Sequence, residues 1–410
     1  MVTAEGGVRS RSHLAGLDGV RGLAILLVLA IHFLGMRTPH GRGQYLLVKA
    51  AGYGMLGVDL FFVLSGFLIT GLLLDGRTEP RPLRNFYARR VLRIFPLYFG
   101  VLVACFLVLP LFLSFPPAFA AVRTHQAWLW TFTSNLFTAI HGSWTSLNYL
   151  SHFWSLAIEE HYYLLWPLVV LAVQPRTLER ISIGVVAGAL LLRIGLALGG
   201  MSELSISVLT PCRIDTLSAG GLLALWARRP SGLAPLVERS GRAALGLGAL
   251  VLLLSLWCSV IALGLPVLHQ IRNSLYALLF AALLLVSLGP RSSPVARAFQ
   301  SPVLGFFGKY SYGLYVYSGI WTWIFLEKDL DGRLDALLGN HALTIAVHGA
   351  LGVTVSLLMA VASYQLYERH FLALKRYFGG TADRPGGAQA VHGEPVAAPA
   401  GLTPGTEPPR

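Results

Sequence analysis

Long apolar runs alternate with short polar segments along most of this chain. A helix needs about 20 apolar residues to cross a bilayer, where only helices and closed barrels satisfy their own backbone. Ten runs approach this length: residues 17–36, 51–74, 94–114, 152–173, 181–198, 214–227, 244–263, 268–288, 303–326 and 342–366. The pattern predicts an all-α fold, a polytopic transmembrane helical bundle of about ten spans.

Composition supports a membrane protein. Charged residues make up 12% of the 410 residues, whereas soluble domains carry about 25%. The mean hydropathy is +0.63. The net charge of +13 does not indicate a nucleic-acid partner, because the arginines lie in short segments between apolar runs, where positive charge orients helices.

The distribution of that charge predicts the topology. Among the Lys and Arg residues of 1–378 that lie outside the apolar runs, leaving aside Arg213 at the start of one run, ten spans with a cytoplasmic N-terminus place 19 inside and 6 outside. A further run, residues 126–140, is short and polar, and it could span, lie in the interface or re-enter. If it crossed, the arginine cluster at 228–242 would move outside. We therefore expect ten spans in the cell (inner) membrane, with both termini cytoplasmic.

Three regions follow from this pattern: a cytoplasmic segment 1–13, a transmembrane domain 14–378 and a tail 379–410. The tail is rich in Gly, Pro and Ala, and we expect it to be disordered and cytoplasmic. The N-terminus has no cleavable signal pattern, so the first run is interpreted as a retained span. The 3 cysteines are scattered and form neither a disulfide framework nor a metal pattern.

His32 is the one polar residue in the apolar stretch 22–35 of the first run. Arg21 lies eleven residues earlier on the same helical stripe, about 16 Å away along the axis. Asp18 is three residues before Arg21, so a helix stacks the two. An ionisable residue in a membrane helix usually faces a partner or a cavity, and histidine suits proton transfer. The alternative is a histidine that only holds neighbouring helices together.

In the ten-span topology, several ionisable residues share the outer half of the membrane: His32, Asp59, His152, Glu159, Arg213 and Asp215. Burying so many charges at one depth is costly for packing alone. A histidine with a carboxylate is the usual composition of a general base, so we expect Asp59 or Glu159 to stabilise charged His32. The alternative is a set of ion pairs that lock helices together.

Six arginines occupy the loop 75–93, which ends with Arg89, Arg90 and Arg93. Clustered arginines can hold phosphates through paired hydrogen bonds. Ordinary topology-setting charge and lipid headgroups explain the cluster equally well.

The same residues carry a resemblance to the acyltransferase-3 family of membrane O-acyltransferases. Four motifs occur in the family's order: LDGVRGLA…HF at 17–33, GVDLFFVLSGFLIT at 57–70, RRVLRIFPLY at 89–98 and HFWSLAIEEHYYLLWP at 152–167. Weaker matches follow at 213–221, 308–315 and 367–371.

The resemblance implies transfer of an acyl group, usually acetyl, from cytoplasmic acyl-CoA to a hydroxyl of a sugar or other acceptor, without a metal. It makes His32 catalytic, supported by Asp18 and Arg21. It also implies that residues of the third motif bind CoA: Arg89, Arg90, Arg93 and Tyr98.

The chain departs from the family pattern at three places. His161-Tyr162 stands where Gln-Phe is common, Ser318 where His is common, and His370 where Pro is common. The first three motifs are unaffected. Many members carry a fused extracellular esterase-like domain, for which we expect no room here.

We therefore expect an integral membrane O-acyltransferase with His32 as the base and with His152 and Glu159 as further catalytic candidates. The acceptor stays open among polysaccharides, peptidoglycan, lipid-linked sugars and small molecules. The main alternative is a transporter or flippase that uses the same charges as a relay for a lipid or sugar. A non-catalytic membrane scaffold is a third reading.

Overall fold

The structure, a computed structural model, describes residues 5–112, 117–260, 266–290 and 292–378. All regular secondary structure in these ranges is helical, which confirms the predicted class. The α-helices are α1 (Glu5–Ala30), α2 (Arg42–Gly52), α3 (Leu56–Asp75), α4 (Pro82–Val103), α5 (Pro117–Thr124), α6 (Ala127–Trp130), α7 (Ser134–His141), α8 (Trp154–Ala172), α9 (Pro175–Leu198), α10 (Glu203–Val208), α11 (Thr210–Trp226), α12 (Ala234–Val260), α13 (Pro266–Ser287), α14 (Pro294–Phe299), α15 (Pro302–Glu327), α16 (Leu330–Leu338), α17 (His341–Ser363) and α18 (Arg369–Ala373).

Tighter and wider helical turns join or extend these helices. The 3₁₀ segments are Tyr53–Met55, Leu109–Leu111, Trp144–Ser146, Asn148–Phe153 and Leu374–Phe378. The π segments are Ile31–Gly35, Ala104–Val108 and Tyr364–Glu368. Single π turns often occur at functional sites, and the first one contains His32.

Each of the ten apolar runs falls on a helical segment over most of its described length. Six segments are long and apolar enough to cross a bilayer, judged by length and composition: Ala15–Gly35, Arg42–Asp75, Pro82–Leu111, Pro175–Leu198, Pro266–Ser287 and His341–Phe378. The number of ten spans and the cytoplasmic position of both termini stay predictions. The tail 379–410 lies outside the described residues.

The questionable run 126–140 is broken into two short helices. α6 has 4 residues and α7 has 8, and between them Phe132 has a positive φ of 54°. Neither piece has the length that a bilayer requires. The chain here therefore lacks a continuous helix that could add an eleventh span.

Glycines let the central helices approach closely. A Cβ atom at Gly308 of α15 would lie 2.0 Å from the Asp18 carbonyl oxygen of α1, and one at Gly22 of α1 would lie 2.1 Å from the Leu304 carbonyl oxygen. Small residues at such crossings are typical of membrane helix packing. These contacts bring α1 against α15, and α1 also packs on α3. The pairing of α1 and α15 determines which residues surround His32.

Candidate active site

Two cavities between the central helices contain residues that the sequence predicted for the site. The first, here called the histidine cavity, has a volume of about 130 Å³ and is lined by His32, His152, Trp144, Trp154, Trp323 and Thr322 among others. The second, the arginine cavity, has a volume of about 220 Å³ and is lined by Arg21, Arg90, Arg93, Glu159, Glu160 and Tyr163 among others. Six of the predicted site residues are therefore divided between these two spaces.

His32 is held by two side chains of α15. Its Nδ1 lies 2.9 Å from the Ser318 hydroxyl oxygen. The Thr322 hydroxyl donates to the Ser318 carbonyl at 2.8 Å and approaches the His32 carbonyl at 3.3 Å. His32 lies in a π turn, where the backbone hydrogen bonds are shifted by one residue. The Thr322 hydroxyl is an additional donor for the His32 carbonyl. Both the ring and the backbone of His32 are thus fixed from one helix face.

His152 stands beside His32 in the same cavity. The two ring centroids are 6.0 Å apart and edge to face. His152 Nε2 donates to the Val316 carbonyl at 3.0 Å, and its Nδ1 has no hydrogen-bond partner within the described ranges. A Cβ at residue 319 would lie 2.2 Å from that nitrogen, so Gly319 is what allows the ring to fit.

The arginine cavity combines three cations with two carboxylates. Arg21 is paired with Asp18 at 2.6 Å, and Arg90 lies over the Tyr163 ring, 5.4 Å from its centroid. Glu159 accepts a hydrogen bond from the Tyr163 hydroxyl at 2.9 Å. A further cavity of about 360 Å³ shares Arg21 and Arg93 and adds Lys309. Its lining and that of the arginine cavity form one basic region.

Tyr315 lies in the wall that separates the two main cavities, and it lines both. Its hydroxyl donates to the His152 carbonyl at 2.6 Å and is 2.5 Å from the Ser155 hydroxyl. Ser155 faces the arginine cavity and His152 faces the histidine cavity. Because Tyr315 lines both cavities, this hydrogen-bonded side chain lies where they adjoin.

The expectation that a carboxylate pairs with His32 differs from the structure. Asp59 is 2.5 Å from Arg213, and Asp215 is 2.8 Å from Arg193. The four side chains form a buried ion-pair cluster, as the helix-locking alternative described, because α3 and α11 pack closely. Glu159 lies in the arginine cavity, on the other side of the Tyr315 wall from His32.

Two further predicted residues, Tyr98 and Arg89, lie outside the arginine cavity. Tyr98 is fully buried, donates to the Leu129 carbonyl at 2.8 Å and stacks on an aromatic ring, and it is not part of the arginine cavity lining. Arg89 is 4.0 Å from Glu79 and is also outside that lining. Asp18 pairs with Arg21 at 2.6 Å, as their spacing predicted, and Arg21 lies about 16 Å along the helix from His32.

Sequence reasoning noted Ser318 only as a departure and did not select Tyr315 or Thr322 as site residues. All three lie on one face of α15, at spacings of three and four residues, and line or adjoin the histidine cavity. Polar positions with helical spacing in an apolar helix were the signal that could have identified them.

Comparison with known proteins identifies the family. The model of the acyltransferase-3 family, described as an acyltransferase domain, matches residues 14–363. The chain is 27% identical over 323 residues to the peptidoglycan O-acetyltransferase OatA of Listeria monocytogenes, covering 75% of this chain and 49% of that protein.

Two staphylococcal proteins are also similar. The O-acetyltransferase OatA of Staphylococcus aureus is 30% identical over 331 residues, 75% of this chain and 50% of that protein. A putative O-acetyltransferase of the same species is 27% identical over 383 residues, 88% of this chain and 57% of that protein. The chain thus spans about half the length of the curated relatives it matches. No solved structure matches it. The chain therefore belongs to the acyltransferase-3 family and, with its apolar helices, is a multi-pass membrane protein.

Proposed function

We propose that this protein is a membrane O-acyltransferase that transfers an acyl group, with acetyl as the proposed group, from acyl-CoA to an acceptor hydroxyl. The observation that carries the proposal is the arrangement of two cavities on either side of Tyr315, one basic and one containing His32. A basic cavity suits an anionic donor, and a histidine cavity suits proton removal from the acceptor. The O-acetyltransferase names of the relatives support the same chemistry.

The donor is proposed to bind in the basic region. CoA carries phosphates, and arginine binds phosphates through two parallel N–H groups. Arg90, Arg93 and Lys309 supply such charges beside the cavities. The distribution of positive charge predicts that this side faces the cytoplasm, where acyl-CoA is available. Cysteine labelling of residues 76–84 from the cytoplasm, and of residues 329–339 from outside, tests this orientation.

His32 is proposed to act as the general base. The acceptor hydroxyl is inert at its usual pKa, so its proton moves to His32 while its oxygen attacks the thioester carbonyl. A C–O bond forms, the C–S bond breaks, and the CoA sulfur leaves and is protonated by the imidazolium. Arg21 is about 16 Å from His32 along the helix, so we assign Arg21 to the donor and not to the oxyanion.

The acceptor is proposed to enter the histidine cavity. Its lining combines three tryptophans with few polar groups: Trp144, Trp154 and Trp323. Pockets of this kind bind a ligand through its apolar faces and orient it with a few hydrogen bonds. A sugar unit of a polysaccharide or of a lipid-linked sugar satisfies this description, and so does a hydroxyl-bearing small molecule.

Release of free thiol from acyl-CoA separates this function from a transporter. The purified protein, incubated with acetyl-CoA and a cell-wall glycan fragment, should release thiol, and His32→Ala should abolish the release. His370→Ala, at an exposed histidine, is the control and should be silent. A transporter would translocate its cargo and release no thiol. An active, normally folded His32→Ala enzyme would exclude His32 as the base.

A further inference from the structure

We infer that Ser318 is a positioning residue that holds His32 in the Nδ1–H tautomer and leaves Nε2 as the basic nitrogen. The inference rests on the proposed function, since it concerns the group that removes the acceptor proton. It assigns a role to the residue at which this chain departs from its family's common histidine.

The hydrogen bonds of Ser318 are the basis of the inferred tautomer. A hydroxyl has one proton and two lone pairs. The Ser318 hydroxyl donates to the Tyr315 carbonyl at 3.3 Å, and a carbonyl only accepts. Its lone pair is therefore available to His32 Nδ1 at 2.9 Å. With Nδ1 carrying the proton, neutral His32 has its free lone pair on Nε2.

The surroundings keep this arrangement in place. Ser318 is fully buried, and its helix is fixed against α1 by the close contacts at Gly22 and Gly308. Thr322, one turn further, binds the backbone of the same histidine. Ser318 and His32 are 286 residues apart in the chain, so this contact depends on the packing of α1 against α15.

A neutral hydroxyl orients the ring without adding charge. A carboxylate at this place would favour protonated His32 and would raise the pH at which the imidazole becomes available as a base. A serine leaves the base free to accept and release a proton near neutral pH. In this chain the group that orients His32 is therefore uncharged, and the carboxylate of Asp59 is paired with Arg213.

Kinetics of Ser318 variants test the role. Ser318→Ala should lower kcat about 10–100-fold, as loss of an orienting hydrogen bond does elsewhere, with KM for both substrates unchanged. Ser318→Asp should move the acidic limb of the pH–rate profile upward by about one unit or more, because a nearby carboxylate favours the charged imidazole. The control is Ser356→Ala, at a fully buried serine of α17, which should change neither quantity.

A measurement on the unmodified protein keeps the inference testable if a variant fails to fold. The ¹⁵N spectrum of histidine-labelled enzyme, assigned by difference with His32→Asn, should show a protonated Nδ1 and a bare Nε2 for His32. The reverse pattern would overturn the inference, and so would wild-type kcat in Ser318→Ala or an unshifted limb in Ser318→Asp. If His32→Asn itself releases thiol at the wild-type rate, His32 is not the base, and that part of the proposed function fails. If only the Ser318 results are negative, the function stands without this tautomer assignment.

Discussion

The histidine cavity and the ion-pair cluster both bury polar side chains between membrane helices, but they differ in how those side chains are satisfied. In the ion-pair cluster each carboxylate faces an arginine, Asp59 with Arg213 and Asp215 with Arg193. In the histidine cavity His32 has only a neutral partner, and His152 Nδ1 has none among the residues that the structure describes. A buried polar group next to open volume is available to a ligand, whereas an internal pair is not.

This difference distinguishes residues that take part in the reaction from residues that stabilise the fold. An ion pair in a low-dielectric interior compensates its own desolvation only when both partners are present, so its loss should appear as instability. A base that faces a cavity contributes little to packing, so its loss should appear as lost turnover. Depth in the membrane, which grouped these residues in the sequence, does not distinguish the two cases.

The largest expected effect is on turnover at His32. His32→Asn retains an amide N–H near the position of Nδ1 and removes the base. Loss of a general base typically costs about 10²–10⁴ in rate, so kcat for thiol release should fall by that factor. The thermal unfolding midpoint in detergent should stay close to that of wild type. If the variant lost both stability and rate, His32 would be a structural residue.

The second prediction concerns Asp59, for which the sequence suggested a catalytic role. Asp59→Asn leaves Arg213 as a buried, unpaired charge, and breaking such a pair costs about 3–5 kcal/mol. We expect a clearly lower unfolding midpoint and nearly unchanged kcat per folded molecule. Replacing both partners, Asp59→Leu with Arg213→Met, should recover much of the stability. A much lower kcat in a stable Asp59→Asn protein would show that Asp59 takes part in catalysis.

The comparison also shows what the sequence could predict. The helical class followed from the lengths of the apolar runs, which are local properties of the chain. His32 was visible because one ionisable residue interrupts an apolar stretch. The partner of Asp59 could not be predicted from the sequence, because the pair depends on how α3 packs against α11. Ser318 lies 286 residues from His32, and nothing in the spacing of the motifs indicates that the two side chains meet.

The third prediction separates arginines that line the arginine cavity from one that does not. Arg90→Gln and Arg93→Gln should raise KM for acyl-CoA about tenfold or more, since each removes a charge-assisted hydrogen bond of about 1.5–3 kcal/mol, with kcat little changed. Arg89→Gln, on the same helix but facing Glu79, is the matched control and should have a smaller effect. Equal effects at all three positions would mean that the charges only set topology.

The smallest expected effect is at the wall between the cavities. Tyr315→Phe retains the ring and removes the hydroxyl that binds the His152 carbonyl and Ser155. One neutral hydrogen bond contributes about 0.5–1.5 kcal/mol, so a purely structural role predicts a slightly lower unfolding midpoint and normal kinetics. If the acyl group passes this wall, a looser Tyr315 should change kcat severalfold while KM for acyl-CoA stays constant. Ser155→Ala breaks one of the same contacts from the arginine-cavity side and should change kcat in the same direction. If Tyr315→Phe altered only stability, Tyr315 would have a structural role only. The acyl group would then have to pass between the two cavities by another route.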